Sequence, residues 1–302
     1  MTQPSPTPRD RALGLAFGVY CALMWSGYLV VARMGATGAL QGPEQASLRA
    51  FGSGMILLPR FLYSWRRLVR QQGWPRLVAL AVLVGPLYAL VFVTGMQFAP
   101  AGHAGVIAPS AGAVLTALIA WPVLGEKPTR GRVMGLAIIV TGVLLIGWDG
   151  VSGAHPGAWR GIPFFLLGAT CWATFTVLLR RWGLNGLDAT AVVAVLSLPY
   201  VPIHLLWRGE RFLAVPWTEL LLQLAMQGPL TGVLASIAYA RAVWLLGAAP
   251  ASTIASLVPV GATTLGWAVL GEPLSIRQLG GMAICVAGVL CVVLLPSRRR
   301  SE

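Results

Sequence analysis

Ten stretches of mostly apolar residues, each about twenty residues long, follow one another along this chain with only short polar segments between them. A helix of that length, at about 1.5 Å per residue, is long enough to cross the hydrocarbon core of a bilayer. The chain is 57% hydrophobic and 10% charged, with a mean hydropathy of +0.75. This composition excludes a soluble globular domain and a disordered chain. The sequence therefore predicts an all-α membrane protein.

Glycines, prolines and arginines mark the ends of the apolar stretches, as they do at the ends of membrane helices. The first stretch is too long for the core of a signal peptide and has no cleavage site of small residues after it, so we expect it to be a retained helix. The ten predicted helices cover residues 13–33, 46–65, 76–98, 101–124, 131–148, 159–180, 188–207, 219–247, 249–270 and 276–295.

The basic residues are divided unevenly between the two sides of these segments. With the amino terminus inside, fourteen lysines and arginines lie on the cytoplasmic side and four on the opposite side. Cytoplasmic loops carry such an excess, so we expect ten crossings with both termini in the cytoplasm. An odd number would place Arg298, Arg299 and Arg300 outside. Because the net charge of +13 comes mainly from these loops, no nucleic-acid partner is expected.

The two halves of the chain resemble each other. Gly125 and Glu126 recur 146 residues later as Gly271 and Glu272. Each half holds five predicted crossings, an odd number, so the second half would enter the membrane from the opposite side as an inverted repeat. The prediction is a first repeat and a second inverted repeat around a central cavity. The predicted parts are a tail (1–12), the first repeat (13–148), a linker (149–158), the second repeat (159–295) and a basic tail (296–302).

The carboxyl-terminal part of each half carries the pattern of a proline, spaced leucines, Gly-Glu and a glycine-rich helix. It is clearest in the second half, and further matches lie in the first, second and sixth helices. The residues of this pattern and of the further matches are Trp25, Ser26, Gly27, Arg49, Trp172, Arg180, Arg181, Pro259, Leu265, Leu270, Gly271, Glu272, Gly281 and Gly288. Together they resemble the EamA-type drug/metabolite transporter (DMT) superfamily, with amino acid exporters of the YddG type as the nearest substrate class.

Aromatic side chains with a polar tip and small hydroxyl side chains fall near the estimated midplane of several predicted helices. They suit an amphipathic solute, although serine and threonine in membrane helices also bond to backbone and pack between helices. The candidate cavity residues of this kind are Trp25, Tyr28, Tyr88, Ser110, Trp172, Thr176, Ser236, Tyr239, Ser256 and Thr263.

Two prolines occupy equivalent positions near the middle of the fourth and ninth segments, namely Pro109 and Pro259. Proline removes a backbone donor and bends a helix, and irregular backbone inside a membrane is tolerated where it lines a cavity or packs in protein. We expect each proline to break its helix beside the cavity. A kink that only improves packing is the alternative.

Two charged candidates complete the expected site. Arg241 lies in the unusually long segment 219–247, where it would meet a substrate carboxylate or extend to the membrane surface. His103 begins the fourth segment, either as a proton-sensing group or as a solvated helix-end residue. Extension to the surface is also expected for Arg33, Arg49 and Arg60.

The resemblance implies a secondary transporter of the inner membrane that exports small metabolites, most directly aromatic or methionine-like amino acids, by alternating access. Another small metabolite or a drug is the alternative substrate, and an integral membrane enzyme or a channel is the alternative class. No carboxylate lies near the predicted midplane, so a proton relay through a buried acid has no candidate. We expect no cofactor, no metal and no enzymatic activity, and a monomer in the lipid bilayer with a small-molecule substrate.

Overall fold

The computed structural model describes residues 7–99, 101–151, 158–255, 257–270 and 276–294, and the regular secondary structure of these residues is helical throughout. The chain is thus a membrane protein with several apolar helices. Within the described ranges, six helical stretches have the length and apolarity to cross a membrane, and the expectation of ten crossings stays a prediction. The six are Pro8–Thr37, Trp74–Phe98, Ile107–Leu124, Trp159–Arg181, Gly186–Arg208 and Trp217–Leu246.

The helices of the first half follow one another with short connections. The first helix begins five residues before the predicted start at 13, because Thr7 and Asp10 cap it reciprocally: the Thr7 hydroxyl accepts from the Asp10 amide at 3.1 Å. The helices are α1 (Pro8–Thr37), α2 (Gly42–Gln72), α3 (Trp74–Val84), α4 (Pro86–Phe98), α5 (Ala101–Leu124) and α6 (Arg130–Val151).

The helices of the second half are more broken than those of the first. A 3-10 turn (Ala158–Gly161) opens it, and a π-helical segment (Met226–Ala235) interrupts the long predicted helix around Pro229. The helices are α7 (Ile162–Arg181), α8 (Gly186–Leu196), α9 (Tyr200–Arg208), α10 (Glu210–Leu213), α11 (Trp217–Ala225), α12 (Ser236–Leu246), α13 (Ala248–Ala255), α14 (Val258–Leu270) and α15 (Ile276–Leu294).

The packing of the helices is nearly unchanged when the two halves are exchanged. In the first half, α5 and α4 pack against α7, and correspondingly α14 and α12 pack against α1 of the first half. Two further pairs join equivalent helices to each other, α2 to α8 and α6 to α15. The central contacts are therefore made between the halves rather than within one of them.

Glycines allow α6 and α15 to approach with their backbones almost in contact. A Cβ added at Gly142 would lie 2.6 Å from the carbonyl oxygen of Gly281, and one at Gly288 would lie 3.0 Å from that of Gly135. Glycines spaced seven residues apart lie on one helix face, and a face without side chains lets a neighbouring backbone approach closely. The two halves are thus joined along this glycine seam, formed by Gly135, Gly142, Gly281 and Gly288.

Arginines from several helices close one end of the bundle. Arg60 and Arg67 of α2 both pair with the buried carboxylate of Asp188 at the start of α8, each at 2.6 Å. At the same end, Arg180 of α7 lies 3.5 Å from Glu126 and donates to the carbonyl of Val243 at 3.0 Å. These contacts explain why α2 runs to Gln72, seven residues past its predicted end, and we call this set of contacts the arginine end.

Candidate functional site: a cavity between the halves

A cavity lies between the two halves, at the opposite end from the arginines. It holds about 750 Å³ of empty space, part of it open to solvent. Its walls come from the later half of α1, the first turns of α2, the beginning of α4, the first half of α5 and the middle of α7, with contributions from α12, α13 and α14. Short connections join α1 to α2 and α4 to α5, so the ends of α1 and α4 lie at the same end of the bundle as the beginnings of α2 and α5. The cavity lies at this end.

Aromatic rings form most of one wall. The rings of Trp25, Trp172 and Tyr239 contact one another with centroids 5.1 to 5.3 Å apart, and the first two meet edge to face. Tyr88 lies 5.7 Å from Trp172 and stacks on Phe92 at 5.6 Å. Such rings combine a large apolar surface with a few polar tips, so this wall suits a flat or long apolar group on a solute.

One cation, Arg49 on the second turn of α2, lines the same cavity. Its guanidinium donates to the hydroxyl of Thr231 at 3.4 Å, and within the described ranges no carboxylate pairs with it. Arg49 and Trp172 also line a second cavity, about 530 Å³, between α2, α7 and α8. A cation inside a membrane protein without a counter-charge is costly, and a bound anion would offset that cost.

Six of the residues predicted from the sequence lie on the wall of the main cavity. Two others are close behind it: Thr176 is fully buried against Tyr239, and Ser110 is buried next to Pro109 in α5. Ser236 lines the second cavity and donates to the carbonyl of Thr231 at 2.9 Å. The six that line the main cavity are Trp25, Tyr28, Tyr88, Pro109, Trp172 and Tyr239.

The structure places other predicted residues elsewhere. Arg241 is exposed and does not line the cavity, because it follows the inward-facing Tyr239 by two residues, a rotation of about 200° around the helix. Thr263 is half-buried in α14 and is not on the cavity wall. The side chain of His103 and the whole of Ser256 lie outside the described residues.

The two prolines differ from each other. The helix break expected at Pro109 is absent, since α5 runs without interruption from Ala101 to Leu124. In the second half α13 ends at Ala255 and α14 begins at Val258, so Pro259 lies in the first turn of a new helix. Proline is tolerated in a first turn, where its missing donor has no intrahelical partner. That the two prolines act as hinges stays a prediction.

Sequence reasoning assigned Arg49 to the membrane surface and so missed it as a cavity residue. The apolar pattern does not show whether a single arginine in a long helix faces the inside of the protein or the membrane surface, since its long side chain can extend to either. The one available signal is that Ala46, Ala50 and Ser53, which share its face, are small. Small neighbours leave room for a cavity beside the guanidinium, and all three line the second cavity.

A bundle of apolar helices with two similar halves and a polar-tipped cavity between them defines a membrane transporter of small molecules. The chain belongs to the EamA-like transporter family, whose sequence pattern matches residues 12–148 and again residues 159–294. Each half of the chain thus matches the family pattern once. Membership in a transporter family is consistent with the absence of enzymatic activity expected from the sequence.

Three relatives of this chain bear the names of uncharacterized transporters. The chain is 27% identical over 296 residues to the uncharacterized inner membrane transporter YedA of Escherichia coli, covering 95% of this chain and 93% of YedA. It is 25% identical over 284 residues to the uncharacterized transporter YwfM of Bacillus subtilis, covering 88% and 92%. The match to the uncharacterized transporter YyaM of Bacillus subtilis is 26% identical over 219 residues and spans 63% of this chain and 64% of YyaM.

One solved crystal structure has the same fold. It superposes with a TM-score of 0.66 at 23% identity and covers 96% of this chain and 98% of that chain. At this identity the likeness concerns the arrangement of the helices alone.

Proposed function

We propose that this transporter exports amino acids with aromatic or methionine-like side chains across the bacterial inner membrane. The observation that carries the proposal is the position of Arg49, a cation without a carboxylate partner among the described residues, in a cavity walled by aromatic rings. An α-carboxylate would pair with the guanidinium, and the apolar side chain would lie against the rings. Amino acids are therefore the solutes whose two ends fit the two parts of this cavity.

The chemistry of each part supports this assignment. A guanidinium binds a carboxylate through two parallel hydrogen bonds, which adds orientation to attraction. The faces of Trp25 and Tyr88 attract cations, so they can also take up the α-ammonium of the same solute. A purely apolar drug would leave Arg49 without a counter-charge.

Alternating access between inverted repeats is the proposed mechanism. The cavity lies at one end of the bundle, and the ion pairs of Arg60 and Arg67 with Asp188 close the other. Because exchanging the halves leaves the helix packing nearly unchanged, a second arrangement with the opposite end open would conserve most contacts. Export requires that the arginine end, which the positive-inside rule predicts to face the cytoplasm, opens to load the substrate.

The test is efflux from liposomes that contain the purified protein and either labelled L-phenylalanine or labelled 2-phenylethylamine. The amine keeps the aromatic ring and the ammonium but lacks the carboxylate. Each compound is compared with its own leak from protein-free vesicles; we expect the protein to raise efflux of phenylalanine well above that leak and to raise efflux of the amine little. An equal increase for both would remove the carboxylate from the substrate description and favour a drug or another metabolite. Steady ionic currents across a planar bilayer would instead favour a channel.

A further inference from the structure

A second group of ionisable side chains lies apart from the cavity, at the beginning of α2. Glu44 and His204 are each 0% exposed, and the Glu44 Oε1 atom lies 3.6 Å from Nε2 of His204. The same oxygen lies 3.4 Å from Nε of Arg208. Neither carboxylate oxygen and neither ring nitrogen has a hydrogen-bond partner in the part of the chain that the structure describes.

The surroundings of the pair come mainly from α9 and α10. Tyr200 stacks on the His204 ring at 5.9 Å, and Phe212 meets that ring edge-on at 5.4 Å. The Tyr200 hydroxyl donates to the carbonyl of Pro43 at 3.4 Å, so its proton is already engaged. The pair is thus enclosed by aromatic rings and backbone.

Among the described residues, no charged group outside this pair other than Arg208 forms an ion pair with Glu44 or His204. Glu219 of α11 lies beside Gly38, at the connection before α2. On α10, Glu210 and Arg211 form no ion pair with a described residue. The cations that reach Glu44 within the described ranges are therefore Arg208 and, once protonated, His204.

A buried carboxylate needs a cation beside it, but two cations would leave a buried net positive charge. Arg208 is the last residue of α9, and its side chain is 18% exposed, so it can turn toward solvent. His204 is fully buried and cannot move away, but its imidazole can bind or release a proton. We propose that Glu44 and His204 form a proton-binding site, in which a proton on His204 replaces Arg208 as the counter-ion of Glu44.

The site is connected to the cavity through α2. Glu44 lies in the first turn of this helix, and Arg49, which lines the cavity, follows five residues later. Between them Gln45 is fully buried; its Nε2 atom donates to the carbonyl of Ala32 at 2.9 Å, and its Oε1 accepts from Gln227 at 2.6 Å. A change of counter-ion at Glu44 therefore acts on the helix that holds the proposed substrate, so proton release and substrate binding should be linked. This linkage, unlike the site itself, rests on the proposed function.

The proton site can be tested without any substrate. The chain has three histidines, so protein labelled with ¹⁵N-histidine gives three imidazole signals that single substitutions can assign. We expect the signal lost in His204→Gln to change between the neutral and protonated forms between pH 5 and 8. In Glu44→Gln the His204 signal should not change between pH 5 and 8, because a protonated, buried His204 would have no carboxylate beside it. In the matched control His155→Gln, the His204 signal should change with pH as it does in the wild type.

A second variant keeps the test decisive if Glu44→Gln fails to fold. Arg208→Gln removes the competing cation from the edge of the site, so the pH range over which the His204 signal changes should differ from that of the wild type. A His204 signal that stays neutral from pH 5 to 8 in the wild type, or that moves identically in all variants, would overturn the proposal. These outcomes do not depend on whether amino acids are transported.

The linkage is tested in liposomes that enclose a pH-sensitive dye, with L-phenylalanine as the probe. We expect a phenylalanine gradient to move protons in the opposite direction in the wild type, and this proton movement to be lost in His204→Gln. Phenylalanine flux without proton movement in the wild type would refute the linkage and leave the amino acid assignment intact. Absence of any phenylalanine flux would instead count against the proposed function.

Discussion

The hydroxyl groups of Thr176 and Tyr239 lie 3.0 Å apart, buried behind the aromatic wall of the cavity. Thr176 uses its only proton to bond the carbonyl of Trp172 at 2.8 Å, so Tyr239 must be the donor between the two hydroxyls. This chain of bonds joins α7 of the wall to α12. It fixes the positions of Trp172 and Tyr239, whose rings lie 5.3 Å apart.

Replacing Trp172 by alanine should lower phenylalanine efflux by about tenfold or more, equivalent to about 1.4 kcal/mol of lost binding. The ring contacts Trp25, Tyr88 and Tyr239 and also lines both cavities, so its loss leaves the solute without most of its wall. Efflux rates from liposomes measure the effect. Trp267→Ala, which removes a half-exposed tryptophan from α14, is the matched control and should transport normally. Similar rates for both variants would remove Trp172 from the site.

Replacing Arg49 by glutamine should abolish the preference for phenylalanine over 2-phenylethylamine. The substitution keeps a polar side chain but shortens it and removes the charge that the carboxylate would pair with. Competition of each compound against labelled phenylalanine gives the preference. Arg241→Gln serves as the control, because Arg241 is exposed on α12. If Arg241→Gln lost the preference and Arg49→Gln kept it, the expectation from the sequence would be restored.

A methyl group on the glycine seam should destabilise the contact between the halves. In Gly142→Ala the new Cβ would meet the backbone of Gly281 and Cys285 at less than 3 Å, and backbone cannot move aside as a flexible side chain can. We expect a cost of about 1–3 kcal/mol, seen as a lower melting temperature in detergent. Gly280→Ala on the adjacent α15 position is the control, since its Cβ would meet nothing within 4 Å. Equal melting temperatures for both would argue against close packing of α6 on α15.

Replacing Asp188 by asparagine should loosen the arginine end. The variant leaves Arg60 and Arg67 without their shared carboxylate, and because both arginines reach solvent, the expected cost is about 1–3 kcal/mol rather than that of a fully buried pair. Opening at this end should be faster, so a cysteine introduced at Ala191 should react sooner with a soluble thiol reagent. Glu210→Gln, which removes a carboxylate from the far side, should leave that reactivity unchanged.

Inversion of the two halves predicts that the loops after their fourth helices face opposite compartments. A cysteine at Lys127, in the first of these loops, should be labelled only from the cytoplasm, and one at Ser275, in the second, only from outside. A membrane-impermeant thiol reagent on intact and on opened cells makes the measurement, in a background without the four native cysteines. A reporter at the carboxyl terminus should read cytoplasmic. Labelling of both positions from one side would exclude inversion.

The sequence alone predicted the helical membrane class, the division into two similar halves and most of the aromatic wall. These properties depend on patterns that recur along the chain, namely the apolar stretches and the motifs shared by the two halves. Apolar length decides whether a helix suits a bilayer, and the spacing of Gly-Glu and proline is preserved in both copies. Trp25, Tyr88 and Tyr239, which line the cavity, were predicted because large rings with polar tips are unusual at the estimated midplane.

Only the tertiary structure decided which charged residues face inward. Arg241 follows Tyr239 by two positions on α12 and therefore lies on a different face of that helix, which is exposed. Arg49, on α2, lines the cavity instead. The pairing of Glu44 with His204 joins positions 160 residues apart, and no local pattern marks it. Burial of a charge depends on what packs around it from distant parts of the chain. Helix length and apolarity are local properties, and for that reason they could be read without the fold.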